Sequence, residues 1–334
     1  LNGTAKTSDG NLTLKAGSSL SVADHSTLSA LNGTLDLSAP KTTFGKALTL
    51  EAKKLGLTTS NDISLTDSSL TAGTDGLSLV SSEGSVSIDG GALTSQNSIN
   101  VSSAKDTTIS RTAVSSEGND VEAGVFLSSS EGAVKVSDGS INSNGSVKLS
   151  AVTDAQLTNV SVSAKGTGEG SGVEVNSSQG SVMIDAGQLD SQSSIRLTSA
   201  AGTQVMGADL IAAGTGESEG LFITSNGGAV EVTSNTVSSG SVIDIASQKD
   251  ASLTVESLNA AGKLDVESKE GSINVSSEAN GNTGGLQAAA ENGSVTLKGL
   301  NVDSSTDIDV LAKDSISVTG GSLKNKDGSN LILV

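Results

Sequence analysis

The sequence predicts an all-β chain wound into a right-handed parallel β-helix, a solenoid with three short strands per coil and coils of about 22–26 residues. Three observations carry that expectation. Glycines recur at one fixed interval, apolar residues recur two apart in short runs, and no window long enough for a helix shows i, i+3, i+4 periodicity.

The interval comes first, because a missed repeat misreads a whole fold. Gly76, Gly124, Gly172 and Gly220 are spaced by 48 residues, and so are Gly84, Gly132, Gly180 and Gly228. Nine columns in this register hold Val, Ile or Leu in all four copies. Leu77, Val125, Val173 and Leu221 form one; Val86, Val134, Val182 and Val230 form another. Within a copy the columns pair at spacing two, as at Leu77 and Leu79 or Val86 and Ile88, which is strand alternation with one face buried and one wet. Each run is short and bounded by Gly, Ser, Asn or Asp, so the chain bends after every strand. Gly and β-branched residues penalise helix throughout.

A propeller built of blades of about 40–45 residues would also repeat short strands. The stretch after the repeats argues against it. Gly262-Lys263-Leu264-Asp265-Val266 and Gly285-Leu286-Gln287-Ala288 restart one pattern within about half of the repeat, and a blade cannot be halved whereas a pair of coils can. The 48-residue unit then reads as a tight coil from Gly76 and a longer one from Ser98 with an enlarged corner. On this reading the chain is a single β-helix segment over 1–334. Residues 1–75 form less regular coils, 76–261 hold four 48-residue two-coil repeats with the last shortened, and 262–334 add further coils. The early coils are marked by Leu12 and Leu14, Leu35 and Leu37, Leu48 and Leu50, and Ile63 and Leu65; the one proline, Pro40, falls at a corner.

Composition narrows the function. Apolar residues make up 34% of the chain and alternate with polar ones, which separates it from disordered polar tracts. A net charge of −18 repels phosphate backbones and anionic lipid, so no nucleic-acid partner is expected, and the scattered acids read as a solvated surface. The absence of cysteine removes disulfides and thiolate metal sites. No apolar run approaches the ~18 residues that span a bilayer, so no membrane insertion is expected. Leu1 begins no signal peptide, and the sequence reads as an internal segment of a longer chain.

Runs such as Gly262-Lys263-Leu264-Asp265-Val266-Glu267-Ser268 and Gly271-Ser272-Ile273-Asn274-Val275-Ser276-Ser277 resemble the repeat region of filamentous haemagglutinin-like exoproteins of bacterial two-partner secretion systems. The resemblance extends over essentially the whole chain, although autotransporter passengers follow much the same pattern. It implies a secreted, bacterial cell-surface protein, exported through an outer-membrane secretion pore and folded into a β-helical filament. This segment would be part of the shaft, a rigid spacer in cell adhesion, aggregation or biofilm. Contacts with a host receptor, a glycan or a neighbouring cell would be made through parts outside it. The alternatives are the shaft of a contact-dependent toxin-delivery exoprotein or, on a different principle, a polysaccharide-degrading β-helix.

Few residues could carry chemistry. Glycoside hydrolysis needs two carboxylates across a sugar, and elimination needs a base, commonly cationic, with acidic groups. The only arginines, Arg111 and Arg196, stand in different columns, and there is no Trp or Tyr to serve as a sugar platform. Phe126 and Phe222 lie between inward columns and so point outward as lone residues. His25, the only histidine, sits beside Asp24 at a solvated corner. Glu117, Asp120, Glu122, Glu169, Glu217 and Glu219 occupy enlarged corners that could gather calcium, but no Gly-Gly-x-Gly-x-Asp repeat accompanies them, and they read as flexible acidic corners. Asn-x-Ser/Thr triplets, as at Asn11, Asn100 and Asn274, arise by chance in so Ser-rich a chain. No catalytic residue, cofactor or metal ligand is therefore expected, and no enzymatic activity. The outward positions Ser78, Phe126, Glu174, Phe222 and Asn100, Lys148, Arg196, Asp244 share no chemistry that would mark a repeated site.

Overall fold

The computed structural model describes residues 1–120, 122–326 and 329–334, the side chain of residue 280 excepted. Among them there are strands, turns and bends but no helix, and the strand pairs are parallel. The chain divides into two compact units, Leu1–Gly166 and Thr167–Val334, each a β-solenoid, with about 15 turns in all. Parallel pairing excludes the propeller, whose blades are antiparallel.

The coil lengths follow the repeat. In the first unit Leu77 lies opposite Ile99, Ile99 opposite Val125 and Val125 opposite Val147, offsets of 22, 26 and 22 residues. In the second, Val173, Ile195, Leu221 and Ile243 follow each other at the same offsets. Leu264, Leu286 and Ile308 then continue at 21, 22 and 22. One coil consists of strands Ile99–Ser103, Thr107–Ser110 and Ala113–Ser116, one on each of three faces. In many coils the corner between the second and third strands holds a left-handed residue. His25, Ala47, Asp67, Arg111, Asp138 and Asn159 fill it in the first unit at φ 57, 53, 49, 50, 52 and 52, and Ala186 in the second at φ 60. Asn and Asp tolerate this conformation better than most residues.

All nine apolar columns are inside: none of their residues is more than 2% exposed. Each fully buried Val, Leu or Ile is worth about 1.5–3 kcal/mol, and each is buried largely by the coil before and the coil after.

Two features of the corners were hidden in the sequence. Serines that read as polar punctuation turn inward at the end of the first strand: Ser81, Ser103 and Ser129 in the first unit, and Ser199, Ser225, Ser247 and Ser268 in the second, are buried. A buried hydroxyl is costly unless bonded, and these close the corner. Ser81 Oγ donates to the Asn61 carbonyl at 2.7 Å and accepts the Gly84 N–H at 3.1 Å. Ser268 Oγ does the same with the Lys249 carbonyl and the Gly271 N–H, at 2.6 and 3.1 Å. The second feature is a set of aspartates that cap the next coil. Asp62 Oδ1 accepts the Ser85 N–H at 2.7 Å, Asp106 Oδ1 the Ala133 N–H at 2.8 Å and Asp250 Oδ1 the Ser272 N–H at 2.7 Å. At Gly84 and Gly132 this explains the second glycine column, because a Cβ on Gly84 would lie 2.5 Å from Asp62 Oδ1 and 2.6 Å from the Asn61 carbonyl carbon, and one on Gly132 would lie closer still to Asp106 Oδ1.

One ladder is broken. Strand Lys41–Phe44 pairs with Ser19–Val22 as a separate two-stranded sheet and makes no ladder with Ile63–Ala72 in the coil that follows. The cause is a slip of one residue. Leu20 faces Thr42, which makes Thr42 an inward position, yet the single bridge from Lys46 to Thr66 would bring Thr43 opposite the buried Ile63. A one-residue slip exchanges the faces of a strand, so the two strands cannot pair while both keep their apolar side inside.

Candidate functional site

In the second unit the outward position of the first strand forms a row from coil to coil: Glu174, Arg196, Phe222, Asp244, Asp265, Gln287 and Asp309. Phe222 and Arg196 come from the tight and long coils alternately, so two positions that look unrelated along the sequence become neighbours. The Arg196 guanidinium lies 4.0 Å from the centroid of the Phe222 ring and donates to the Ser218 carbonyl at 2.5 Å. Such a stacked cation contributes about 0.5–1 kcal/mol at a solvent-facing site. Phe222 is thus half-buried beneath a neighbour and is no open platform.

Asp244 follows on the other side of Phe222. Burial, and then the Asp265 carboxylate in the next coil, push its carboxyl above the ordinary range, against the pull of Lys263 and Arg196. Lys263 Nζ is committed elsewhere, donating to Asp265 Oδ2 at 2.7 Å and to Gln287 Oε1 at 2.6 Å. The row therefore holds a pair of neighbouring acids, one kept toward its protonated form, flanked by two cations and one aromatic ring. Those are group types used in acid–base work on sugars. Arg196 and Lys263, however, already have partners on the protein.

The other residues singled out from the sequence are scattered. Arg111 clamps Asp89 in the preceding coil through Nε at 2.9 Å and a terminal nitrogen at 2.5 Å, and with Ser110 holds that carboxyl below its usual range. Phe126 is half-buried between Asn100 and Lys148 in the ladder. His25 is exposed in a turn at φ 57, and its neighbour Asp24 accepts the Lys46 N–H at 2.8 Å. Glu117, Asp120, Glu122, Glu169 and Glu217 are exposed. No three Asp, Glu, His or Cys side chains gather to hold a metal among the described residues.

Glu219 departs from the flexible acidic corner expected of it. Its Oε2 accepts the N–H groups of Thr215 and Gly216 at 3.0 and 2.8 Å. Its Oε1 accepts the Gly168 N–H at 3.1 Å and the Ser193 hydroxyl at 3.4 Å. The Gly216 N–H above all, with these others, holds the carboxyl below the ordinary glutamate range. One side chain so ties the enlarged corner at 213–219 to the corner at 167–171 within the second unit. Gly214 and Gly216, which let the chain curl around the carboxylate, were the only sequence signal of it.

No protein-family model matches the chain, and neither a curated protein nor a solved structure matches it.

Proposed function

We propose that the chain is a length of structural stalk in a secreted adhesin on the bacterial cell surface, acting as a rigid spacer in attachment, aggregation or biofilm. The supporting observation is the separation of inside from outside. In each unit the same apolar columns continue from coil to coil, while the outward row of the second unit passes from Glu174 to Arg196, Phe222 and Asp244 with no regularly repeated chemistry. A surface that does not repeat binds no repeating ligand, whereas a core that repeats transmits position. The resemblance of the Gly262 and Gly271 runs to filamentous haemagglutinin-like exoproteins adds export through an outer-membrane pore. On this reading the segment has no catalytic role and needs no cofactor or metal, and receptor contacts lie elsewhere in the parent protein.

The Arg196, Phe222, Asp244 and Asp265 row favours a second reading, action on a polysaccharide chain. Both are testable in the full-length protein. Excision of residues 173–220, one two-coil repeat, should leave surface display and cell attachment intact and shorten the tether measured by single-molecule force spectroscopy. Loss of attachment at normal display would assign the receptor contact to this segment. Release of reducing or unsaturated ends from acidic polysaccharides, abolished by Asp265→Asn, would establish the enzyme instead.

A further inference from the structure

We infer that the broken ladder in the first unit is a binding site for a carboxylated saccharide, a function beyond that of a stalk. The opening left by strand Lys41–Phe44 is a groove of about 650 Å3, lined among others by Lys41, Thr42, Phe44, Asn61, Asp62, Glu83 and Lys105. Its volume lies in the range of about 300–1,000 Å3 typical of small-ligand sites.

Thr42 at its wall has unmet hydrogen-bonding capacity. In the coils that follow, the residue at this position sends its N–H to the next coil: Ile63 to Ser85, Val86 to Asp106, Thr107 to Ala133, Val134 to Asp154. Lys41 and Gly45 give their N–H groups back to Ser18 and Val22, so Thr42, of opposite parity, directs its own away from that coil and toward the groove. Among the described residues no partner receives it. The Thr42 hydroxyl turns inward beside Leu20 and is buried without a partner, out of reach from the groove, on a residue only 9% exposed. Backbone N–H groups without a partner are rare in native proteins, and a bound ligand is one way in which they are met.

The chemistry of the lining selects the ligand. The unmet Thr42 N–H, the ammonium groups of Lys41 and Lys105 and the side-chain amide of Asn61 together suit a charged acceptor such as a carboxylate, while Asp62 beside them already accepts the Ser85 N–H. The half-buried Phe44 ring offers a face to C–H groups, and the Glu83 carboxylate accepts from hydroxyls. A carboxylate, a C–H face and hydroxyl donors in one molecule describe a uronate-type sugar. The surroundings permit an anion: the first unit carries eleven Lys and Arg against sixteen Asp and Glu, net −5, and the second eight against twenty-one, net −13.

The test is calorimetric titration of the full chain with a galacturonate trimer, beside a neutral galactose trimer of the same length. The acidic trimer should bind and weaken with added salt, and the neutral one should bind at least about tenfold more weakly. Lys41→Ala with Lys105→Ala should lower the affinity about tenfold or more without changing the melting temperature. Thr42→Val keeps the shape and the backbone N–H and removes only the inward unpaired hydroxyl, so it should bind as the parent does and melt no lower. The inference is overturned by equal binding of the two trimers, by no binding of the acidic trimer at millimolar concentration, or by affinity indifferent to the two lysine substitutions.

Discussion

The coils around Thr42 and those between Gly172 and Ser247 obey one grammar and treat irregularity in opposite ways. In the second stretch the long coil exceeds the tight one by four residues, 26 against 22 from Val173 to Ile195 to Leu221. The excess is absorbed at the 213–219 corner, which Glu219 gathers, and the columns on both sides stay buried. In the first stretch a slip of a single residue falls inside a strand, and the ladder opens. Four residues at a corner thus cost less order than one within a strand, because a corner has no parity to preserve and a strand has.

The sharpest way to break this comparison is by deletion in the second unit. Removal of residues 173–220 joins Gly172 to Leu221 and keeps every column in register, so circular dichroism should show a cooperative melt close to that of the parent. Removal of residues 173–196 joins Gly172 to Leu197 and brings Ser199 and Met206 to positions held by Val175 and Val182. The unit should then lose cooperative melting and be cut rapidly by protease. Similar behaviour of the two deletions would end the claim that register governs stability.

Next in size is a single-residue version of the same contrast. Val182→Asp places an unpartnered carboxylate in the core and should cost about 3–5 kcal/mol, whereas Met183→Asp, one residue outward, should cost under about 1 kcal/mol in denaturant titrations.

A smaller effect, with a definite pH dependence, separates the two unusual carboxyls of the second unit. Glu219 is held below its unfolded value, so its contribution is present above that value and fades as pH falls through the folded one. Asp244 is held above its unfolded value, so its charge opposes folding at neutral pH and the penalty disappears as pH falls and it protonates. Glu219→Gln should therefore lower the melting temperature at pH 7 and expose the 167–171 and 213–219 corners to protease. Asp244→Asn should raise it. Both differences should vanish in strong acid, and a persistent gain for Asp244→Asn there would show that packing, not charge, is responsible.

The smallest expected change is at Ala186, which stands at φ 60 in a corner that Asp, Asn, Arg, His25 and Ala47 occupy in the first unit. Ala186→Gly relieves that strain against a larger loss of chain entropy and should stabilise by no more than about 1 kcal/mol.

The core was legible because a solenoid repeats each inward position in every coil and most of these are filled by Val, Leu or Ile, as at Val182 and Leu253. The two-coil split was legible from the extra coil that begins at Gly262. What escaped were contacts between residues 20 to 50 apart that composition does not mark. Ser81 and Ser268 look like any other serine until the coil above closes on them. The serines, the capping Asp62 and Asp250, and the Glu219 clasp all correct the impression that polar residues here are merely solvated. Arg196 and Phe222 belong to separate series along the sequence, one in the long coils and one in the tight coils, whereas stacking interleaves them. At Thr42 the sequence showed only a coil less regular than the rest, because parity relative to the next coil is visible only once Lys46 is seen opposite Thr66.

The near-constant offset between paired strands also bears on how the chain reaches this state. Each ladder closes a loop of about one coil, as from Leu264 to Leu286 and on to Ile308, and none waits for a distant part of the sequence. Loop-closure entropy is therefore much the same at every step, and contact order relative to length is low for an all-β protein. A chain released gradually from one end could add coil upon coil as it emerges, each finished turn serving as the template for the next, with little of its apolar sequence waiting unpaired at any moment.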